Sequence, residues 1–251
     1  MRAGVVPLTV VIPTLDEAPR IEACLGSVEW AAEVIVADAG SSDATVALAR
    51  AAGATVLEHC GPTIAAQRNA AIARAAHPWV LTLDADEMVP PDLAAELAAV
   101  TQAPSRGAYR IRRRSFYLGR ELTRGHWGHD WVVRLFPRER RYVEQRVHEA
   151  LELVADVGTL HGTLLHEPYR DLDHHLDKLI RYSAWGAQDL FDRGRRARIW
   201  DLTGRPAWRF LKVWIVEGSV LDGRYGVISA GLGACATFFK YAHLWELEQR
   251  R

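Results

Sequence analysis

The sequence predicts an α/β fold with a mainly parallel sheet flanked by helices and a helical appendage at the C-terminal end. Through residues 1–100, short apolar runs alternate with segments of helical periodicity, which is typical of parallel strands joined by crossover helices. From Asp171 onward, apolar residues recur at helical spacing. The chain has 251 residues, 49% of them hydrophobic and 25% charged, a composition typical of a globular protein with a substantial core.

Short apolar runs predict four parallel strands, at residues 8–12, 33–37, 54–58 and 79–83. Helices are expected between them, because Ile21, Leu25 and Val28 recur at helical spacing and Asp43 or Ser42 can cap the helix after the second strand. Further strands are expected at residues 107–119, 132–136 and 141–147.

The strand at 79–83 ends in three carboxylates within four residues, Asp84, Asp86 and Glu87. Such crowding is unfavourable unless a cation or a bound group offsets the charge. Mg²⁺ and Mn²⁺ suit these hard oxygen ligands, and Mg²⁺ takes one or two protein carboxylates together with substrate phosphates. We therefore expect one of these ions to bind between this loop and a diphosphate. The alternative is a solvated acidic turn before the next helix.

The position of these carboxylates favours the ligand-binding interpretation. Asp16 and Asp38 follow the first two predicted strands, as Asp86 follows the fourth. In open parallel sheets, ligands bind outside the carboxyl ends of the strands. The three aspartates are therefore expected at one edge of the sheet.

Composition excludes several classes of protein. The 31 basic and 31 acidic residues cancel, so the total charge predicts no nucleic-acid partner, although arginines are dense in residues 106–146 and suit an anionic ligand. Cys24, Cys60 and Cys235 match neither a disulfide framework nor a zinc pattern, and this favours a reducing cytosol. No signal peptide and no run of about 18 apolar residues is recognisable, so a cytoplasmic location is expected. The spacing of four histidines also matches no zinc pattern: His126, His129, His161 and His166.

Four ordered motifs resemble family 2 of the nucleotide-sugar glycosyltransferases, which have the GT-A fold. They are V-I-P-T-L-D-E-A, V-x-D-A-G-S-S-D-x-T, A-x-x-R-N-x-x-I and L-D-A-D-E, all within the first hundred residues. Three later segments are most similar to the lipopolysaccharide-core β-glucosyltransferase group, at residues 127–136, 147–149 and 220–226. The glycine fingerprint of Rossmann proteins does not follow the first strand.

The resemblance implies roles for the polar residues of these motifs. Pro13 and Thr14 would line the base pocket, and Asp38 would accept a hydrogen bond from the nucleobase N3–H, which favours uracil. Asp86 would hold the metal on the diphosphate, and Asp84 would face the ribose or the metal. Other substrate-binding residues are expected at Asp16, Glu17, Gly40, Arg68, Arg134 and His148.

Two of these assignments have structural alternatives. Asp16, like Asp43, is also a suitable helix cap. Arg68 is expected to offset phosphate charge, but it could instead pair with a surface acid.

A base must take the proton of the acceptor hydroxyl, and two residues are candidates. Glu149 follows His148 after a predicted strand, where similar enzymes carry an acid near the acceptor. Asp130 precedes an R-L-F segment, as an aspartate does in relatives that act on polyprenyl phosphate. Glu149 is the favoured base.

The predicted organisation is a GT-A domain at residues 1–168, with a donor half at 1–100 and an acceptor half at 101–168, and a helical extension at 169–251. Tryptophan, tyrosine and arginine lie on the apolar helices of the extension. This distribution favours peripheral contact with a membrane, at the inner face of the cytoplasmic membrane. Packing on the sheet domain or on a second copy, in a homo-oligomer, remains open.

The sequence therefore predicts an inverting, metal-dependent hexosyltransferase that uses Mg²⁺ or Mn²⁺. It would move a hexose, with glucose expected, from a UDP-sugar donor to a saccharide or glycolipid acceptor, either lipid-linked or of the lipopolysaccharide core. The alternatives are a polyprenyl-phosphate sugar transferase and a catalytically dead scaffold protein that binds a nucleotide sugar.

Overall fold

The computed structural model describes residues 5–61, 63–143, 150–152 and 155–250. Its strands are β1 Val6–Thr14, β2 Ala31–Asp38, β3 Thr55–Glu58, β4 Trp79–Thr82, β5 Glu87–Met88, β6 Ala108–Tyr117, β7 Arg120–Glu121, β8 Trp131–Pro137, β9 Tyr142–Val143, β10 Ala150–Leu151 and β11 Val157–His166. Its α-helices are α1 Ala18–Gly26, α2 Thr45–Ala51, α3 Ile64–Ile72, α4 Pro91–Gln102, α5 Leu172–Asp192, α6 Ile199–Leu202, α7 Gly204–Leu211 and α8 Arg224–Gln249. Short 3₁₀ or π-helical turns span Gly125–Trp127, Lys212–Val216 and Ser219–Asp222.

Most of the strands form one sheet in the order β3-β2-β1-β4-β8-β6-β11-β5, with β7 paired to β6. The pairs β3-β2, β2-β1 and β1-β4 are parallel, and they come from the first hundred residues. β8 is antiparallel to both β4 and β6, and β11 is antiparallel to β5. The predicted α/β class with a helical C-terminal appendage is confirmed.

The parallel strands lie in the core and carry their loops to one edge. Leu81 is fully buried, as are Val10 and Val11 beside it. Thr14 pairs with Asp38 at the ends of β1 and β2, and Val11 pairs with Thr82 at the end of β4. The loops that follow these three strands therefore begin side by side, as expected for carboxyl ends in a parallel sheet.

Four strands are absent from the sequence prediction: β5, β7, β10 and β11. β11 contains Gly158 and Gly162, which weaken a strand pattern. In the fold Gly162 is needed for close packing, because a Cβ there would lie 2.9 Å from the Cα of Leu93 in α4. Leu160 and Leu164 of the same strand are buried in the core.

The chain divides into two units, Met1–Arg113 with Trp131–His166, and Arg114–Asp130 with Glu167–Arg251. The change at His166/Glu167 lies close to the predicted boundary at 168/169, whereas residues 114–130 group with the helices. Among the described residues, no helix is both long enough and apolar enough to span a membrane. All three cysteines are free thiols.

The second unit is built around α8. Ala187 of α5 and Tyr241 and Leu244 of α8 form its buried cluster. Tyr117 also belongs to this unit, and its hydroxyl lies 3.0 Å from Nδ1 of His175. Many large apolar side chains of this unit remain exposed, above all on α6, α7 and the turns that follow.

Candidate active site

The loops after β1 and β2 are tied together by Asp16. Its backbone N–H donates to Ser41 Oγ at 2.9 Å, and its Oδ1 accepts from Ser42 N at 2.7 Å. Asp16 has a left-handed backbone, with φ 54°, a conformation that aspartate tolerates better than most residues. The helix-cap alternative for Asp16 is wrong, since the residue before α1 is Glu17, without a side-chain cap.

A second link between these loops runs through Asp43. Its Oδ2 accepts from Ala18 N at 3.0 Å, at the start of α1, and its Oδ1 accepts from Thr45 N at 2.9 Å. Thr45 Oγ1 in turn accepts from Glu17 N at 2.8 Å. The cap position of α2 is Ala44, so Ser42 is not the cap, and Asp43 bonds to the first turn from one residue further out. These bonds fix the entry to both helices.

Asp38 organises the turn after β2. Its buried carboxylate accepts four hydrogen bonds: Gly40 N at 2.8 Å, Ser41 N at 2.7 Å, Ser41 Oγ at 2.5 Å and Thr14 Oγ1 at 3.1 Å. Burial alone would raise the pKa of Asp38, but the Ser41, Gly40 and Thr14 donors lower it below its usual value. Gly40 has φ 107°, and a Cβ there would lie 3.0 Å from His59 Nδ1, so the turn requires glycine.

Asp84, just after β4, lies between two buried guanidinium groups. Arg68 of α3 donates to its Oδ1 at 2.5 Å, and Arg134 of β8 donates to its Oδ2. Burial would raise the pKa of Asp84, but the charges of Arg134 and Arg68 hold it well below its usual range. The partner of Arg68 is therefore this partly buried aspartate of the acidic loop, and not a surface acid.

Glu87 is fully buried and holds the acidic loop in place. Its Oε1 accepts from Arg134 at 2.6 Å and from Arg113 at 3.2 Å, and its Oε2 accepts from Asp84 N at 3.0 Å. The sequence suggested that a cation must offset these crowded carboxylates. In the fold, arginines supply much of that positive charge.

The ion pairs of Asp86 with Arg20 and His166 are longer than those of Asp84 and Glu87 with Arg134. Arg20 Nη1 lies 3.5 Å and His166 Nε2 lies 3.8 Å from its carboxylate, and its side chain is 14% exposed. Burial lowers the pKa of His166, although the Asp86 carboxylate opposes this. Among the described residues no group of three or more His, Cys, Asp or Glu side chains could hold a metal. The Asp86 carboxylate is a hard oxygen ligand, which is the chemistry that Mg²⁺ or Mn²⁺ takes together with phosphate and water.

The R-N pair of the third motif holds Tyr142 beside the site. Asn69 Nδ2 donates to Tyr142 O at 2.9 Å, and Asn69 Oδ1 accepts from Tyr142 N at 2.8 Å. The Arg68 guanidinium lies 4.8 Å from the centre of the Tyr142 ring, and the Tyr142 hydroxyl lies 2.9 Å from Thr82 Oγ1. Asn69 thus fixes β9 directly before residues 144–149.

Four further residues were predicted for the site: Asp130, Arg134, His148 and Glu149. His148 and Glu149 lie outside the described residues. Asp130 is partly exposed, follows the Gly125–Trp127 turn and belongs to the second unit. Arg134 is buried against Asp84 and Glu87, a position that sequence reasoning did not foresee.

Sequence reasoning missed several residues of this network. Arg20 and Arg113 belong to none of the motifs, and His166 was considered only as a zinc ligand. The pairing of His166 with Glu87, between β11 and β5, brings that histidine to the acidic loop. The available signal was the period of two along β6, in which Arg113 follows Ile111 by two residues and so shares the face of that buried side chain.

Comparison with known proteins shows what this chain is similar to. The family model described as glycosyl transferase family 2 matches residues 9–155. The lipopolysaccharide core biosynthesis glycosyltransferase LpsC of Rhizobium meliloti (strain 1021) is 29% identical over 249 residues, which cover 96% of this chain and 92% of that protein. An uncharacterized glycosyltransferase of Rickettsia typhi is 26% identical over 250 residues, which cover 94% and 86%.

Among solved structures, glucosyl-3-phosphoglycerate synthase from Mycobacterium tuberculosis, in complex with Mn²⁺, UDP and glucosyl-3-phosphoglycerate, is 26% identical with a TM-score of 0.37. The match covers 45% of each chain, so the aligned part spans under half the length of that enzyme. The family match is broader, since it includes more than half of the 251 residues. The protein is a glycosyltransferase, and the chain belongs to glycosyl transferase family 2.

Proposed function

We propose that this enzyme transfers a hexose, with glucose expected, from a UDP-sugar to a lipid-linked or lipopolysaccharide-core saccharide, with inversion at the anomeric carbon. The observation that carries the proposal is the convergence of Asp38, Asp84 and Asp86 at the carboxyl ends of neighbouring parallel strands. Such an edge is where open α/β sheets bind nucleotides. The acceptor class is supported by the similarity to LpsC along 96% of this chain.

The donor would lie along the three loops. Pro13 and Thr14 would line the base pocket, with Asp16, Glu17 and Gly40 in the loops beside it. The four acceptor positions of Asp38 are already used within its turn. A nucleobase N3–H would therefore replace one of the two hydroxyl donors, which can rotate away.

The diphosphate would lie beside Asp86, which would hold the Mg²⁺ or Mn²⁺. Asp84 would join only by giving up a contact with Arg68 or Arg134, so it is better suited to the ribose or to positioning those arginines. When bound, the divalent cation would offset the negative charge that gathers on the departing diphosphate. Arg68 would add positive charge on the same side.

In the reaction, the acceptor hydroxyl oxygen forms a bond to the anomeric carbon while the bond from that carbon to UDP breaks. The electron pair leaves with UDP, and the hydroxyl proton passes to a carboxylate base. We assign the base to Glu149, with His148 beside it in the sequence, and keep Asp130 as the alternative.

We also propose that the second unit contacts the inner face of the cytoplasmic membrane, where a glycolipid acceptor would be met. Trp208 and Leu211 of α7 are 59% and 44% exposed, and Ile215 and Val216 after it are 57% and 68% exposed. Arg209 and Lys212 lie between these apolar residues in the sequence. Apolar side chains interspersed with cations are typical of helices in the membrane interface. A homo-oligomer contact is the competing use of this surface.

The donor assignment is tested by sugar-nucleotide hydrolysis with UDP, GDP and ADP donors, which needs no acceptor. Metal-dependent hydrolysis selective for a UDP-sugar is expected, and the Asp86→Ala variant should lack it. Selectivity for GDP or ADP donors would overturn the uridine assignment. Binding without any turnover, also when lipopolysaccharide-core acceptors are added, would favour a dead nucleotide-sugar-binding protein.

A further inference from the structure

A cleft of about 240 Å³ lies in the second unit, where α7 and the π-helical turn after it face α8. Four of its lining side chains are cations: Arg205, Arg209, Lys212 and Lys240. Uncharged residues complete its wall: Trp208, Thr237 and Tyr241. None of the described side chains that line it is acidic, so the cleft has a strong positive character.

Two of the four cations are neutralised and two are not. Arg205 Nε donates to Asp201, and Lys212 Nζ lies 3.6 Å from Glu217 Oε1. For Arg209 and Lys240, no carboxylate lies within 4 Å among the residues that the structure describes.

Lys240 lies among other cations of the cleft. Burial and the charges of Arg205 and Arg209 together lower the pKa of Lys240. Its Nζ lies 5.3 Å from the centre of the Tyr241 ring, and the Arg205 guanidinium lies 5.5 Å from the same ring. The cations are thus held near one another, and an anion between them would relieve their repulsion.

A glycine inside α5 makes room for Lys240. A Cβ at Gly186 would lie 3.2 Å from Cδ of Lys240, which is closer than most Cβ contacts. Glycine inside a helix costs about 1 kcal/mol relative to alanine, so this position carries a stability cost. The stem of Lys240 therefore packs closely against α5.

We propose that this cleft binds the phosphate group of a small phosphate ester, with Arg209 and Lys240 as its principal ligands. Arginine donates two parallel hydrogen bonds to phosphate, and lysine adds a point charge. The volume is below the roughly 300–1,000 Å³ of pockets for drug-sized ligands, so it suits a phosphate with few attached atoms and not a nucleotide sugar. The phosphate could belong to a lipid headgroup or to a soluble ester. The inference adds a ligand to the proposed membrane contact, and it depends only on residues of the second unit.

The first experiment measures binding of inorganic phosphate and of sn-glycerol 3-phosphate to the full chain by calorimetry, with acetate at equal ionic strength as the control anion. The variant Arg209→Gln/Lys240→Gln should weaken phosphate binding at least about tenfold, since each lost contact is a charge-assisted hydrogen bond. The matched control Arg170→Gln/Arg193→Gln removes two exposed cations of the same unit that do not line the cleft. It should bind phosphate as the wild type does. Arg209→Lys, which keeps the charge, should bind more tightly than Arg209→Gln.

The second experiment distinguishes the sources of the phosphate. Vesicles of phosphatidylcholine alone are compared with vesicles that also contain phosphatidylglycerol, using co-sedimentation. If the ligand is a lipid headgroup, the Arg209→Gln/Lys240→Gln variant should lose roughly thirtyfold in binding to the anionic vesicles, the effect of two basic groups at such a surface. Phosphate binding without any vesicle binding would support the cleft with a soluble ester and refute the membrane contact. The proposal is overturned if the wild type binds neither probe, or if the cleft variant and its matched control behave alike.

Discussion

Glu87→Gln should destabilise the sheet unit far more than Asp86→Asn, although the two carboxylates are adjacent in sequence. Glu87 is fully buried and accepts three hydrogen bonds, two of them from Arg134 and Arg113. Asp86 pairs with Arg20 and His166 at 3.5 and 3.8 Å and keeps part of its surface in water. The comparison separates a fully buried carboxylate with short ion pairs from a less buried one with longer ion pairs.

The magnitude follows from the contacts of Glu87. Glutamine keeps the shape of the side chain, but its NH₂ group must face either the Asp84 N–H or the two arginines, and donor then meets donor. Removing one partner of a buried ion pair costs roughly 3–5 kcal/mol, because the other charge is left uncompensated. In a chain of this size such a loss lowers Tm by roughly 6–20 °C. Asp86→Asn should lower the unfolding free energy by less than Glu87→Gln does, because the ion pairs of Asp86 are longer and its side chain is less buried.

Urea unfolding measures these differences, and hydrogen exchange of peptides spanning β4 and β8 locates them in the sheet unit. Glu29→Gln, at an exposed position of the same unit, controls for the loss of one negative charge. Glu87→Gln should not be as stable as Glu29→Gln, and Asp86→Asn should not be destabilised as much as Glu87→Gln; either result would contradict the role of Glu87.

Three further predictions concern Asp38 and the base. Asp38→Ala should raise the Kd of UDP roughly 10- to 150-fold, the effect of one charge-assisted hydrogen bond, and equal affinity of the wild type for UDP and ADP would contradict this role. The pKa of Asp38 is lower in the folded state than in the unfolded state, so its ionised carboxylate stabilises the fold fully above about pH 4. This stabilisation is lost as the pH falls through the folded pKa. The difference in unfolding free energy between the wild type and Asp38→Asn should therefore shrink in acid and not stay constant. Glu149→Gln should lower kcat by roughly 10²–10⁴-fold with UDP-sugar binding unchanged, and Asp130→Asn should lower it less. In single-turnover transfer, a larger loss in Asp130→Asn would assign the base to Asp130.

The donor half of the fold could be predicted because its signals are local. Short apolar runs gave β1 to β4, and the motifs placed Asp38 and Asp84 at strand ends. A buried parallel strand is a continuous apolar run, which a sequence shows directly.

The rest depends on contacts between distant parts of the chain. β11 was missed because Gly162 resembles a strand breaker, yet the close approach of Leu93 demands it. The roles of Glu87 and Arg134 depend on the pairing of β4 with β8, far apart in sequence, so no local pattern could reveal that ion pair.

Asp86 and a divalent cation are proposed to bind the diphosphate of a uridine nucleotide. The decisive experiment is calorimetric titration of UDP into the wild type and into Asp86→Ala, with Mn²⁺ and then with a chelator. The wild type is expected to bind UDP tightly only with Mn²⁺, and Asp86→Ala is expected to keep its fold and lose the effect of Mn²⁺. Unchanged metal-dependent affinity in Asp86→Ala would contradict it.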